Sequence, residues 1–236
     1  MHDRSLGTLT SLVAITTAMW VALTIYRQAT LPPINTLPDQ IASIEGQLGL
    51  FKLNYANAGL ITLANAALFA AMYVYCQDES PIWAAVGLVF VPMYALGNLV
   101  VYLSQVFVVP DLLVRYHDPA SAAIAARWLA LTLHEWSGSA TEFLNLLSYA
   151  LLGIASLIMG VLMRRKAPRL RTASLLLGIS GALSILSLLG LGLENGLLTS
   201  MVMASGLVFL IAVVLLAGYF MRAPHPRRSA GATTAA

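Results

Sequence analysis

His134 and Glu135 are adjacent, and they form the sharpest chemical pair in the chain. An imidazole beside a carboxylate can pass a proton, and either group can hold a metal ion. Asp111, His117, Asp118 and Glu142 are the nearest groups in sequence able to join them. The pair lacks the second histidine of a His-Glu-x-x-His helix, so a zinc-protease pattern is not met. Ser137 and Ser139 follow it without the Gly-x-Ser-x-Gly context of an activated nucleophile. The same residues also read as an interfacial salt-bridge cluster with Arg115 and Arg127. His134, Glu135 and Glu142 are thus the candidates for catalysis. No metal and no cofactor is expected.

A second set bonds rather than titrates: Asn54, Asn57, Asn65, Asn98, Gln105, Asn145 and Tyr149, with Glu142 again beside them. Amides of this kind either line a binding site or hydrogen-bond helices to one another. Which use applies depends on the elements that carry them.

Those elements are apolar helices. Of 236 residues, 59% are hydrophobic and only 10% charged, and mean hydropathy is +0.81. Soluble domains carry about 25% charge, so neither a water-soluble fold nor disorder fits. The net charge of +3 sits largely in one loop and is no nucleic-acid signal. Cys76 is the one cysteine, which excludes an intrachain disulfide and a cysteine-cluster metal site. Lys52 and Lys166 fall at helix ends, which disfavours a Schiff base inside the bundle. None of His2, His117, His134 and His225 lies mid-span, which disfavours paired-histidine haem ligation. No phosphate-loop, dinucleotide or potassium-filter motif appears, and the two three-helix halves show no repeat.

A helix needs about 20 apolar residues to cross the hydrocarbon. Six segments qualify: Leu6–Tyr26, Leu53–Cys76, Pro81 to Leu103 or beyond, Ala140–Met163, Thr172–Leu193 and Leu197–Met221. The chain is therefore expected to be all-α, with one six-helix membrane domain over 1–222 and a disordered cytoplasmic tail over 223–236. The first segment reads as a retained helix, since Tyr26-Arg27-Gln28 offers no small-residue cleavage site. Ser80-Pro81 and Ser139-Ala140-Thr141-Glu142 carry helix-start signals. Glu194-Asn195-Gly196 allows only a tight hairpin. Ser174, Gly178, Gly181 and Ala182 give the fifth span a small face for close packing.

Orientation follows the cations. The stretch Arg164–Arg171 holds five, and with Arg4, Arg222, Arg227 and Arg228 one side has nine. The other side has four: Arg27, Lys52, Arg115 and Arg127. Both termini are then cytoplasmic and the two long loops face outward. The first loop, with Pro32, Pro33 and Pro38, contains Ile41, Ile44 and Leu48 on one helical face, which predicts a short interfacial helix. In the other, Asp118-Pro119 predicts an interfacial or re-entrant helix over Ala120–Trp136, with Arg127 and His134 on one face and Trp128 and Trp136 as anchors.

In this topology the amide set falls in the outer half, between spans two, three and four. Residues 134, 138, 145 and 149 would share one face of a continuous helix. An outward polar pocket and simple interhelical glue are both consistent with that placement.

The segments Ile41-Ala42-Ser43-Ile44-Glu45-Gly46 and Leu50-Phe51-Lys52-Leu53, leading into span two, resemble a known group. So does the basic loop with Pro168 before the glycine-containing fifth span. The chain is similar, from about Leu6 to Met221, to six-helix bacterial membrane proteins grouped as a domain of unknown function. The resemblance implies six spans in a bacterial plasma (inner) membrane, and it carries over no catalytic residues. The long third loop departs from the group's pattern. The leading expectation is a non-enzymatic binder of a small or lipidic ligand, working as a transport accessory or sensor, with membrane lipid around it and no nucleic-acid partner. The alternatives are an enzyme acting on an amphiphile near His134, Glu135 and Glu142, or a structural partner of another membrane protein.

Overall fold

The computed structural model describes residues 2–30 and 34–222. It is helical: α1 (His2–Thr30), α2 (Leu37–Gly46), α3 (Leu48–Cys76), α4 (Pro81–Leu103), α5 (Val109–Tyr116), α6 (Ala122–Thr132), α7 (Ala140–Lys166), α8 (Arg171–Gly192), α9 (Gly196–Thr199) and α10 (Met201–Arg222). Six segments are long and apolar enough to cross a membrane, built on α1, α3, α4–α5, α7, α8 and α10. The fold is that of a polytopic helical membrane protein. The expected tail over 223–236 lies outside the described residues, as do Pro32 and Pro33.

The six long helices pack in chain order as a closed ring, α10 returning to α1, and α3 and α7 also touch across the middle. The tightest seam is α7 against α8. Gly153 and Gly181 meet backbone to backbone there, each lacking room for a Cβ beside the other's carbonyl. Two turns further along, a Cβ on Gly160 would lie 2.7 Å from the Ser174 carbonyl oxygen. The small face of span five is thus packing, as its spacing predicts, and it is met by glycines of α7. The α8–α9 hairpin turns through Glu194 at φ 52°, and the Asn195 side chain caps α9 by accepting from Leu198 N.

The third span runs beyond Leu103, as the sequence reading allows. A π-helical stretch, Ser104–Val108, joins α4 to α5, so helix continues to Tyr116. Pro110 has no N–H to give, and the Ser104 N–H reaches both Val100 O and Val101 O where the ladder passes into π geometry. The Ser104 hydroxyl and the Gln105 amide both donate to Val101 O, at 2.7 and 3.3 Å. The 36 residues span about 54 Å at 1.5 Å each, more than the hydrocarbon thickness of about 30 Å. The α5 end therefore extends the helix beyond the length one crossing needs, and α6 packs against it.

The first-loop helix forms where Ile41 and Ile44 predict it. Thr36 and Asp39 close a reciprocal capping box at its start. It covers the end of the bundle: Ile41 and Ile44 join Phe51, Tyr55, Tyr102, Leu113, Leu129 and Leu133 in one apolar cluster. The third-loop helix corrects two expectations. It ends at Thr132, short of Trp136. His134 therefore lies beyond it and shares no helical face with Arg127. Ser80 also differs, since its hydroxyl makes no cap bond to α4.

Candidate functional site

Gln105 is where the site begins. Buried in the π turn, it donates to Thr132 O at 2.8 Å and accepts from His134 N at 3.2 Å. The Thr141 hydroxyl takes Thr132 O as well, at 2.8 Å. A carbonyl and an amide that would extend α6 are thus bonded sideways, and Leu133 turns extended. This break prevents residues 134, 138, 145 and 149 from sharing one continuous helix, and it swings His134 and Glu135 into the bundle end.

Glu135 receives four donors there. Arg27 from α1 forms a fork, Nη1 to Oε1 at 2.7 Å and Nη2 to Oε2 at 3.2 Å. Gln40 from α2 donates to Oε2 at 3.1 Å, and the Tyr55 hydroxyl from α3 donates to Oε1 at 3.0 Å. The Arg27 side chain is 3% exposed and that of Glu135 32%, and the guanidinium lies over the Phe51 ring at 5.1 Å. Burial pushes the Glu135 carboxyl up, but the Arg27 bond and charge, with His134 and Tyr55, hold it below the ordinary carboxylate range. The expected cluster of Glu135 with Arg115 and Arg127 does not form. Arg115 pairs with Asp111 on its own helix at 3.0 Å, Arg127 is exposed, and His117 turns to Glu45 at 2.6 Å.

His134 completes the arrangement. Its Nδ1 lies 3.0 Å from the Tyr55 hydroxyl, and its ring stands edge-on to Tyr55 and Tyr102. Since the Tyr55 proton points to Glu135, the proton in the bond to His134 belongs to the imidazole Nδ1. Burial lowers the affinity of this histidine for a second proton, against Asn145, Glu135 and Glu142, which favour it.

Deeper, the amides divide between two seams. Asn145 of α7 donates to Asn98 Oδ1 at 3.1 Å and to the Tyr102 hydroxyl of α4 at 3.0 Å. The Tyr102 and Tyr149 hydroxyls are 2.9 Å apart, and Asn65 of α3 donates to the Tyr94 hydroxyl at 3.2 Å. Asn65, Asn98, Asn145 and Tyr149 thus meet between spans two, three and four, while Gln105 clamps the loop. Asn54 and Asn57 face the other way. They bond α1, to the Thr24 hydroxyl at 3.2 Å and to Thr16 O at 2.9 Å. Glu142 does not enter the bundle. Its carboxylate accepts from Gly138 N at 2.6 Å, while its own N–H donates to Ser139 Oγ at 3.0 Å, so it serves the start of α7.

Sequence reasoning missed Arg27, Gln40, Tyr55, Tyr94 and Tyr102. Tyr94, Asn98 and Tyr102 repeat at four-residue spacing, a polar stripe legible along α4. Nothing in the sequence marks the Arg27–Glu135 pairing.

Two ligand-sized concavities border this network, at Thr16 and at Thr132. One, of about 300 Å³, is an apolar groove between α1 and α3 near Leu12, Leu60 and Leu63. The other, of about 420 Å³, runs between α5 and α6. Its walls include Leu112, Ile124 and Trp128, and its rim carries Asp111, Arg115 and Ser121. Among the described residues no group of His, Cys, Asp or Glu is placed to hold a metal ion. The chain matches no family model, no curated protein and no solved structure.

Proposed function

We propose that this is a non-enzymatic membrane protein that binds an amphiphilic, lipidic ligand in the groove between α5 and α6. The observation that carries the reading is the groove's mixed lining. Apolar walls from Leu112, Ile124 and Trp128 suit a hydrocarbon body, and the Asp111–Arg115 pair with Ser121 suits a polar head. Its volume of about 420 Å³ falls in the range of small-molecule sites. We place the groove at the outer face of a bacterial plasma membrane, with both termini cytoplasmic, on the nine-to-four division of Lys and Arg. Membership in the six-helix group of unknown function belongs to the same proposal.

The enzyme reading draws support from the Tyr55 hydroxyl lying between His134 and Glu135. Against it stands the state of Glu135, whose oxygens are engaged by four donors and which is a poor base.

Trp128 is the natural reporter. With Trp20, Trp83 and Trp136 changed to Phe, the protein in nanodiscs is titrated with a brominated fatty acid. Saturable quenching that the double variant Asp111→Asn/Arg115→Gln weakens supports the groove. Quenching that rises linearly, as partition into lipid produces, refutes it. Cysteines placed at 164–171 test the orientation, and labelling by an impermeant reagent from outside intact cells overturns it.

A further inference from the structure

Thr62 and Asn65 on α3 and Tyr94 and Asn98 on α4 are all fully buried. Their spacing, three and four residues, puts each pair on one face, and Thr62, Asn65 and Asn98 surround the Tyr94 hydroxyl. Asn65 lies about 26 Å along α3 from Leu48 and about 17 Å from Cys76, deep inside the bundle. Two atoms here have no partner among the described residues. Asn65 Oδ1 is an acceptor and Asn98 Nδ2 a donor. Unpaired polar atoms at hydrocarbon depth cost several kcal/mol each, with no bulk water to relieve them. An acceptor, a donor and a hydroxyl on neighbouring side chains match a water molecule, which needs two to four such partners.

The surroundings differ in the two directions along the bundle. Toward His134 the path is polar, through Asn145, Tyr102 and Tyr149. Toward the basic loop it is closed by Leu68, Phe69, Met72, Val91 and Met159, all in one apolar core cluster.

We propose that Thr62, Asn65, Tyr94 and Asn98 form a hydrated polar site at mid-depth, supplied with water from the His134 end alone. The ligand class is water, or a small neutral molecule that both donates and accepts. A one-sided wet path of this kind gives the protein half of a transport route, open toward His134 and closed toward the basic loop. The site is separate from the α5/α6 groove, so either proposal can fail without the other.

Radiolytic hydroxyl-radical footprinting of the whole protein in nanodiscs tests this, because radicals formed from bound water oxidise the side chains beside it. Tyr94, Tyr102 and Tyr149 are expected to be oxidised severalfold more than Phe69, which is equally buried but has apolar neighbours. Met72 and Met159 are expected to stay unmodified despite the high reactivity of sulfur. Asn98→Leu should bring Tyr94 down to the Phe69 level while Met72 stays protected, which also reports that the variant is folded. If that variant unfolds and Met72 becomes oxidised, the wild-type yields decide the matter. Tyr94 oxidised no more than Phe69 overturns the hydrated site. Oxidation of Met72 or Met159 in the wild type to the level of Tyr94 overturns its one-sidedness.

Discussion

Removing the Glu135 carboxylate should loosen the whole His134 end of the bundle. The Arg27 side chain is 3% exposed and holds its charge against Glu135, so Glu135→Ala leaves a buried cation without a counter-charge. Breaking one side of a buried pair costs about 3–5 kcal/mol. The 32% exposure of Glu135 lets water reach the vacated space, which places the expectation at the lower limit, about 3 kcal/mol. For a chain of this length that corresponds to a fall in Tm of roughly 6–12 °C. Arg27→Met alone should cost less, because a carboxylate that is partly exposed recovers hydration while Met still covers Phe51. The double variant Arg27→Met/Glu135→Leu should be more stable than Glu135→Ala, since no charge is left stranded. Equilibrium unfolding of the purified proteins in mixed micelles, run as a double-mutant cycle, reads all of these. Additive losses, or a loss under about 1 kcal/mol for Glu135→Ala, place the pair among exposed bridges and refute the reasoning.

Acidification should destabilise the fold. His134 titrates below its ordinary value of 6.5 in the folded state, so the unfolded chain protonates first and stability falls as pH drops below about 6.5. Glu135 titrates below 4.5, so its contribution is present above that pH and is lost below it. A pH series of Tm should therefore decline in two stages, with His134→Gln flattening the first, and a Tm that rises on acidification contradicts both assignments. Gln105→Leu strips His134 N of its acceptor, a loss of about 1–3 kcal/mol, and should speed hydrogen exchange at residues 132–134 ahead of the bundle. Unchanged exchange there would show that the Gln105 clamp is dispensable. Gly181→Ala should cost about 1–3 kcal/mol by forcing α7 and α8 apart, while Gly178→Ala, whose Cβ would meet only the end of Leu157 at 3.9 Å, should be tolerated. Equal losses at the two positions would contradict this reading of the seam.

The helices were legible because each crossing must be a long apolar run, and the short helix in the first loop announced itself by Ile41 and Ile44 on one face. The amides were legible as a set because polar groups are rare in such runs. Their division between seams was not, since Asn54 and Asn65 lie on nearly one face yet bond to α1 and α4 respectively. Helix rotation and neighbour identity decide that, and neither is local. Tyr55, Tyr94 and Tyr102 were not singled out, because an aromatic in an apolar helix is ordinary, and only the neighbours of Tyr55 and Tyr102 reveal what their hydroxyls do. Arg27 and Glu135 stand 108 residues apart, and their contact depends on a break after α6 that Gln105, on another helix, imposes.

The π turn at Ser104–Val108 amounts to one residue inserted into a helix that is otherwise in phase. Each residue of an α-helix advances the azimuth by about 100°. Everything after the insertion therefore points where an uninterrupted helix would not aim it. Deleting Phe107, whose side chain is exposed, would return the segment to ordinary pitch and turn α5 by about that angle. Val109 and Leu113 would leave the apolar cluster, Asp111 and Arg115 would move off the rim of the groove, and the clamp on α6 would lose its alignment. A single extra residue thus sets the phase of α5 and α6 against the rest of the bundle, and length changes at that point would alter the groove without touching any residue that lines it.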